Sequence, residues 1–351
     1  YPHHRIRPKK KSVVGSCHPS TSEALESLAI PSIRRYVPDS LEVFFIVMAP
    51  RLRIITGKGG VGKSTLATAI AMAEAQRGHT TLLAEMHAGD RVSSMLNCQP
   101  VGGHMRELYE NLYVVDMNLE DCIKEYALLT MRFETIYRTV FENRFIKPLI
   151  RFIPSLTEMV MLGKIGHHES EEENAKPKFD RIILDAPSTG HAISMLRTPM
   201  ALESIMPPGP MKEHAKSIRA LLQDPTRTLI NIVTIPEEMP IVELVELQEQ
   251  FRDTLKMRVG TTIINQDLAP FNFQQVKNWK QTEDTIKQAL YKLLDIRNAR
   301  QQASKDVLEL LPKEILNQAL RIPQLPTIEI KHSELLRLSE ELGPHLEQLN
   351  R

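Results

Sequence analysis

The segment Gly57-Lys58-Gly59-Gly60-Val61-Gly62-Lys63-Ser64-Thr65 fits the pattern G-x-x-x-x-G-K-[ST] that is typical of phosphate-binding loops. Before it, the apolar run Leu52 to Thr56 predicts a strand. After it, an alanine-rich run from about Lys63 to Arg77 predicts a helix, which Gly78 ends. Glycines let backbone N–H groups wrap around a phosphate, and a helix N-terminus adds partial positive charge. We therefore predict that this loop binds the phosphates of a nucleotide.

Two side chains of the loop carry the expected chemistry. Lys63 should contact the β- and γ-phosphates of ATP, and the hydroxyl of Ser64 should be a ligand of Mg²⁺. A glycine-rich turn without a ligand is the competing interpretation, but the complete motif between a strand and a helix favours a nucleotide site. The candidate nucleotide-binding residues of the loop are Gly57, Gly59, Gly60, Val61, Gly62, Lys63, Ser64 and Thr65.

Beyond the loop, short apolar runs rich in β-branched residues alternate with helical stretches. This pattern predicts an α/β fold with a doubly wound, mostly parallel sheet. A helical insertion rich in methionine and aromatic residues is predicted at about 119–166, and a polar helical stretch from Asn272 to Leu320. No second phosphate loop occurs, so we expect one nucleotide-binding unit. The five further predicted strands are Thr81–Glu85, Leu112–Asp116, Arg181–Asp185, Thr228–Thr234 and Gly260–Asn265.

Composition narrows the class of protein. The chain has 351 residues, with 44 basic and 43 acidic side chains, so no global positive field favours a nucleic acid partner. Its three cysteines, Cys17, Cys98 and Cys122, contain no C-x-x-C pair and favour a reducing compartment, which we take to be the cytoplasm. No apolar run reaches the roughly 18 residues needed to span a bilayer.

The beginning of the chain is interpreted separately. Its basic residues and the apolar run Leu41–Pro50 superficially resemble a signal peptide, but that run leads directly into the first predicted strand. We therefore expect residues 1–49 to be a leader that is disordered or not native, with Met48 as a candidate start. Residues 50–351 are then the nucleotide-binding domain.

With Lys58, the loop resembles the deviant Walker A motif of the ArsA, MinD and ParA group of P-loop NTPases. The resemblance implies that Lys58 contacts phosphates bound by a partner subunit, so that a homodimer holds Mg²⁺-ATP between its two copies. Such a lysine would stabilise charge on the transferring phosphoryl group, as an arginine finger does. An exposed loop lysine without this role is the alternative.

Later segments resemble one branch of this group. Asp185-Ala186-Pro187-Ser188-Thr189-Gly190-His191 resembles the D-A-P-x-T-G-H switch segment of bacterial ArsA-like ATPases, a branch of the arsenite-pump and tail-anchored-protein targeting ATPases. The resemblance implies that Asp185 lies beside Mg²⁺; an aspartate that only caps the next helix is the alternative. Ile263–Gln266 and Arg321–Pro326 resemble the adenine-binding segments, implying that Asn265 and Pro323 contact the base. Pro236–Glu243 (PEEMPIVE) adds to the resemblance.

One segment departs from the family pattern. In ArsA-type ATPases the second strand leads into D-P-A-H, whose aspartate positions the attacking water, whereas this chain has Glu85-Met86-His87-Ala88-Gly89-Asp90 with His87 at the aspartate position. Glu85, His87 and Asp90 are therefore alternatives for the group that orients water, and the hydrolysis rate depends on which of them acts. The chain also has no cluster of three cysteines that would resemble an arsenite site.

The sequence favours a homodimeric switch that hydrolyses ATP to ADP and phosphate. The helical insertion would bind a hydrophobic client or a membrane-protein partner, although its apolar stripe is also explained as core. A MinD- or ParA-like positioning ATPase is one alternative, but the acidic C-terminal stretch from His332 favours a packed terminal helix over a membrane-binding one. A nucleotide-binding scaffold with little hydrolysis is the other.

Overall fold

The first strand, β1 (Leu52–Gly57), is buried along its whole length. It lies between two parallel neighbours, β7 (Arg181–Asp185) and β8 (Thr228–Thr234). Alternate residues of β1 enter different cores: Leu52 and Ile54 pack on one face of the sheet and Ile55 on the other. A strand buried on both faces is expected to be apolar almost continuously, as LRIITG is.

The computed structural model describes residues 49–86, 89–118, 121–122, 154–268, 284–327 and 329–350. In this part of the chain, eight strands form one sheet in the order β10-β9-β8-β1-β7-β2-β4-β3, and only β3 is antiparallel to its neighbour. The predicted doubly wound, mostly parallel α/β sheet is therefore confirmed. The other strands are β2 (Thr81–Met86), β3 (Arg106–Tyr109), β4 (Leu112–Met117), β9 (Ile263–Asp267) and β10 (Leu320–Pro323), and a separate ribbon pairs β5 (Glu172–Glu173) with β6 (Lys176–Pro177).

Helices cover both faces of the sheet. They are α1 (Lys63–Gln76), α2 (Arg91–Met95), α3 (Pro154–Ser170), α4 (Thr189–Ile205), α5 (Pro210–Gln223), α6 (Glu238–Glu249), α7 (Asp284–Leu308), α8 (Lys313–Gln318), α9 (His332–Leu342) and α10 (Leu346–Leu349). Side chains of α3 to α6 belong to one core cluster, and those of α1, α9 and α10 to the other. Among the described helices, none combines the length and the apolar character needed to cross a membrane.

The alanine-rich helix α1 is buried on every side from Leu66 to Ala75. Small alanine side chains allow the sheet and α9 to approach it closely, and α9 contributes Leu335, Leu338 and Leu342 to the same core. Gly78, with φ 86°, ends α1 in the left-handed conformation that the sequence predicts. The packed position of α9 also confirms the predicted packed C-terminal helix.

Several predicted boundaries were wrong or incomplete. The predicted strand from Gly260 begins at Ile263, and β3 and β10 were not predicted at all. The helix α3 continues to Ser170, past the predicted end of the insertion at Gly166. Its last turn is anchored by Glu169, which is buried and forms ion pairs with Arg51 and Arg227. The rest of the insertion, apart from 121–122, lies outside the described residues, as do the predicted leader up to Met48 and the part of the second polar stretch from 272 to 283.

Candidate functional site

Two positions of the phosphate loop have room only for glycine. Gly57 has φ 149°, and a Cβ there would lie 2.1 Å from the carbonyl oxygen of Val233 on β8. Gly62 has φ 93°, and a Cβ there would lie 2.4 Å from Nδ2 of Asn265 on β9. Both positions combine a backbone conformation that favours glycine with a neighbour that leaves no room for a side chain. The loop path is therefore set by strands that lie about 170 to 200 residues further along the chain.

Lys63 begins α1 directly after the loop. Its Nζ donates a hydrogen bond to the carbonyl oxygen of Lys58, 2.9 Å away, so the ammonium lies across the loop. Burial lowers the pKa of Lys63, whereas the nearby Asp185 carboxylate raises it. The predicted phosphate-binding lysine is thus held within the loop at the beginning of a helix, where anions are stabilised.

Asp185 ends β7 beside this loop and is 2% exposed. The nearby hydroxyl of Ser64 lowers the pKa of its carboxylate, while Oδ1 of Asp185 has no hydrogen-bond partner in the described structure. Burial raises the pKa of Asp185 to about 6, and Ser64, Lys63 and Arg91 oppose this rise. A buried carboxylate oxygen without a partner, next to a hydroxyl, fits the oxygen ligands that Mg²⁺ prefers. The two predicted magnesium ligands are therefore adjacent.

A cleft of about 840 Å³ opens above the loop. The predicted residues that line it are Gly59, Gly60, Gly62, Lys63, Ser64, Thr65 and Asp185. Side chains with no predicted role also line it, among them Arg91, Met95, Glu158 and His191. The volume lies within the range of small-molecule sites.

Glu85 is the penultimate residue of β2, and it lies between two other acidic positions. The strand register places it opposite Asp116 of β4 and Asp185 of β7. Its Oε1 accepts a hydrogen bond from the backbone N–H of Val92 at 3.1 Å, and its buried Oε2 has no partner in the described structure. Burial raises the pKa of Glu85 to about 7, and the three nearby aspartates add to the rise. Glu85 thus supports the beginning of α2.

Asp90 has a structural set of contacts. Its Oδ1 accepts a hydrogen bond from the hydroxyl of Ser93, and its Oδ2 accepts one from the backbone N–H of Val101 at 3.1 Å. These bonds hold α2 and the following turn together, and Asp90 does not line the described cleft. His87 lies outside the described residues. The choice of a water-orienting group among Glu85, His87 and Asp90 therefore stays a prediction.

Lys58 does not extend freely from the loop. Its ammonium forms an ion pair with Oε1 of Glu243 on α6, in the same chain. The other carboxylate oxygen of Glu243 accepts a hydrogen bond from the hydroxyl of Thr189, at the beginning of α4, at 3.5 Å. One carboxylate therefore connects the phosphate loop to the segment after Asp185. Pro236–Glu243 contributed to the family resemblance in the sequence, but the sequence indicated no role for Glu243.

The two predicted adenine residues lie on neighbouring strands, β9 and β10. Asn265 on β9 donates a hydrogen bond from Nδ2 to the carbonyl oxygen of Val61 at 2.9 Å, so its side chain also supports the phosphate loop. Pro323 is the last residue of β10, and the adjacent Gln324 lines a separate cavity of about 290 Å³ together with Pro236. Adenine contacts of Asn265 and Pro323 stay predictions.

Comparisons with known proteins identify related ATPases. Residues 51–208 and 207–320 match the family model described as anion-transporting ATPase. The ATPase BagA of Mycobacterium tuberculosis is 26% identical over 231 residues, which cover 62% of this chain and 65% of that protein. The arsenical pump-driving ATPase of Acidiphilium multivorum is 29% identical over 232 residues, covering 64% of this chain but 37% of that protein. The aligned part of the chain thus spans just under two thirds of the mycobacterial relative.

Proposed function

This chain belongs to the anion-transporting ATPase family, and we propose that it binds Mg²⁺-ATP in the cleft above the phosphate loop and hydrolyses it to ADP and phosphate. The proposal rests mainly on one observation: Lys63, Ser64 and Asp185 line the same cleft at the end of a glycine-rich loop. Within this group, Oδ1 of Asp185 is buried and has no hydrogen-bond partner in the described structure. A phosphate loop of this kind needs both a cation and a metal site.

Each of these residues has a distinct role in the proposal. The loop N–H groups and Lys63 bind the β- and γ-phosphates and neutralise their charge. Ser64 and Asp185 hold Mg²⁺, which supplies charge neutralisation at the phosphates when it is bound. Asp185 is 2% exposed, and burial strengthens the electrostatic interaction of its carboxylate with a bound cation.

The segment after Asp185 would report the state of the nucleotide. Pro187 accepts a hydrogen bond from Thr56 at 3.2 Å, and Thr189 donates one to Glu243. These contacts join the end of β1, the beginning of α4 and α6, so a γ-phosphate that moves the segment would move two helices. In the proposal this motion couples ATP turnover to a homodimer in the cytoplasm. The insertion at about 119–166 then binds a hydrophobic client or a membrane-protein partner.

Phosphate release from ATP and Mg²⁺, measured beside calorimetric binding of ATP, tests the proposal. The Lys63→Ala variant should lose both binding and release, because it removes the charge that faces the phosphates. Lys176→Ala, which removes an exposed lysine from β6, is the matched control and should behave like the parent protein. Binding without phosphate release would favour the nucleotide-binding scaffold, and no binding at all would overturn the nucleotide site.

A further inference from the structure

Arg91 is a cation of the cleft that the phosphate-loop motif does not include. It is the first residue of α2, and it lines the same cleft of about 840 Å³ as Lys63, Ser64 and Asp185. Its side chain is exposed, and it has no ion-pair partner among the residues that the structure describes. Its charge lowers the pKa values of both Lys63 and Asp185, so the guanidinium lies within electrostatic reach of both groups.

The position of Arg91 is set by contacts on both sides of it. The next residue, Val92, is fully buried and donates its backbone N–H to Glu85 at 3.1 Å. The preceding residue, Asp90, has φ 61°, which is uncommon for a residue other than glycine, and its carboxylate is bonded to Ser93 and Val101. These contacts fix the backbone at Arg91, so its side chain lines the cleft before a ligand binds.

The charges of the cleft make a phosphate the expected ligand of this guanidinium. Two carboxylates line the cleft with Arg91, and neither is ion-paired with it in the described structure. Glu158 accepts a hydrogen bond from the hydroxyl of Thr198 at 3.1 Å. Asp185 lies beside Ser64 and, in the proposed function, binds Mg²⁺. A nucleoside triphosphate brings further negative charge that Lys63 alone does not balance. Arginine suits this position because its planar donors bind two phosphate oxygens at once and because it stays charged.

We infer that Arg91 is a further phosphate-binding residue, which contacts the terminal phosphate of a nucleoside triphosphate from within the same chain. The inference rests on the proposed function, since it requires the triphosphate to occupy the cleft. The inference assigns different roles to two cations: Lys58 would contact the nucleotide bound by the partner subunit, whereas Arg91 contacts the nucleotide bound by its own subunit. Arg91 therefore makes this chain favour ATP over ADP.

Calorimetric titration with ATP and with ADP, each with Mg²⁺, tests this assignment. Arg91→Ala should weaken ATP binding on the order of 10- to 100-fold, the usual effect of losing a hydrogen bond to a charged group, and should leave ADP binding unchanged. Arg91→Lys should recover part of the ATP affinity, because it restores the charge without the paired donors. Arg337→Ala, on an exposed position of α9, removes an arginine elsewhere and should change neither affinity.

Thermal unfolding without nucleotide completes the test. The unfolding temperature of Arg91→Ala should equal that of the parent, since the side chain is exposed. Unchanged ATP affinity in Arg91→Ala would overturn the terminal-phosphate contact. An equal loss of ATP and ADP affinity would also overturn it, whether or not the unfolding temperature falls. If the parent protein binds ATP but the Arg91 variants bind it equally well, only this inference fails. If the parent binds no nucleotide, the proposed function fails first.

Discussion

Lys58 of the phosphate loop is ion-paired with Glu243 of α6 in the same chain. The side chains are 32% and 28% exposed, and pairs with such exposure contribute only about 0–1 kcal/mol. The resemblance assigns Lys58 to the nucleotide of a partner subunit, so the lysine must leave Glu243 before it can act there. Because such a pair is weak, we expect a bound triphosphate to compete with Glu243 for the lysine.

The Glu243→Gln variant should dimerise at a lower ATP-analogue concentration than the parent protein. The change removes the carboxylate that competes with phosphate for Lys58, and the expected shift is up to about fivefold, which corresponds to about 1 kcal/mol. Sedimentation across a nucleotide titration measures it. Glu246→Gln changes an exposed glutamate on the same helix and is the control. An identical titration curve for both variants would show that Glu243 does not restrain Lys58.

Mixed dimers test whether Lys58 acts on the partner's nucleotide. Lys58→Ala and Lys63→Ala proteins should each be nearly inactive in phosphate release. Mixing them should restore part of the activity, because the Lys63→Ala subunit still provides Lys58 to the intact nucleotide site of its partner. Mixed-dimer formation must be shown independently, for example by two affinity tags. If mixed dimers form and no activity returns, the lysine does not act in trans.

Glu85→Gln should stabilise the nucleotide-free protein in a pH-dependent manner. The folded protein raises the pKa of Glu85 from 4.5 to about 7, so folding binds a proton. The contribution of this group to stability is present below pH 4.5 and is lost as pH rises through about 7. The free energy of unfolding of the variant, relative to that of the parent protein, should therefore be about 1–3 kcal/mol higher at pH 8 than at pH 5.

Denaturant unfolding at both pH values measures this difference, with the exposed Glu172→Gln on β5 as the control. Glutamine keeps an oxygen that can accept the N–H of Val92, so the support of α2 is retained. A stability gap between Glu85→Gln and the parent that is the same at pH 5 and pH 8 would contradict the raised pKa of Glu85.

Asn265→Ala should affect both base selectivity and stability. If Asn265 contacts adenine, the parent protein should prefer ATP to GTP and the variant should lose that preference. The lost hydrogen bond to the Val61 carbonyl should also lower the free energy of unfolding by about 1 kcal/mol. Competition binding and denaturant unfolding measure the two effects, with the exposed Asn317→Ala on α8 as the control. A loss of stability with unchanged selectivity would leave Asn265 with its structural role alone.

The local pattern was sufficient to predict the central strands, the phosphate loop and α1. The glycines of the loop, Lys63 and Ser64 lie within one short segment, so the motif can be recognised in the sequence. Buried parallel strands have a recognisable apolar composition. The pattern missed β3 and β10. β3 has four partly exposed or exposed residues, and β10 has only four residues and ends at Pro323. Short edge strands are stabilised by pairing with a neighbour more than by their own composition.

The amino-acid sequence by itself determined the chemistry of the phosphate loop, because backbone freedom at glycine and the charge of Lys63 are properties of adjacent residues. Only the tertiary structure showed that Asp185 has a buried oxygen without a partner, that Glu243 binds Lys58, and that Arg91 lines the cleft. These relationships join residues that are far apart in the chain. Their distances, burial and pKa shifts depend on how the sheet brings strand ends together, which no local pattern specifies.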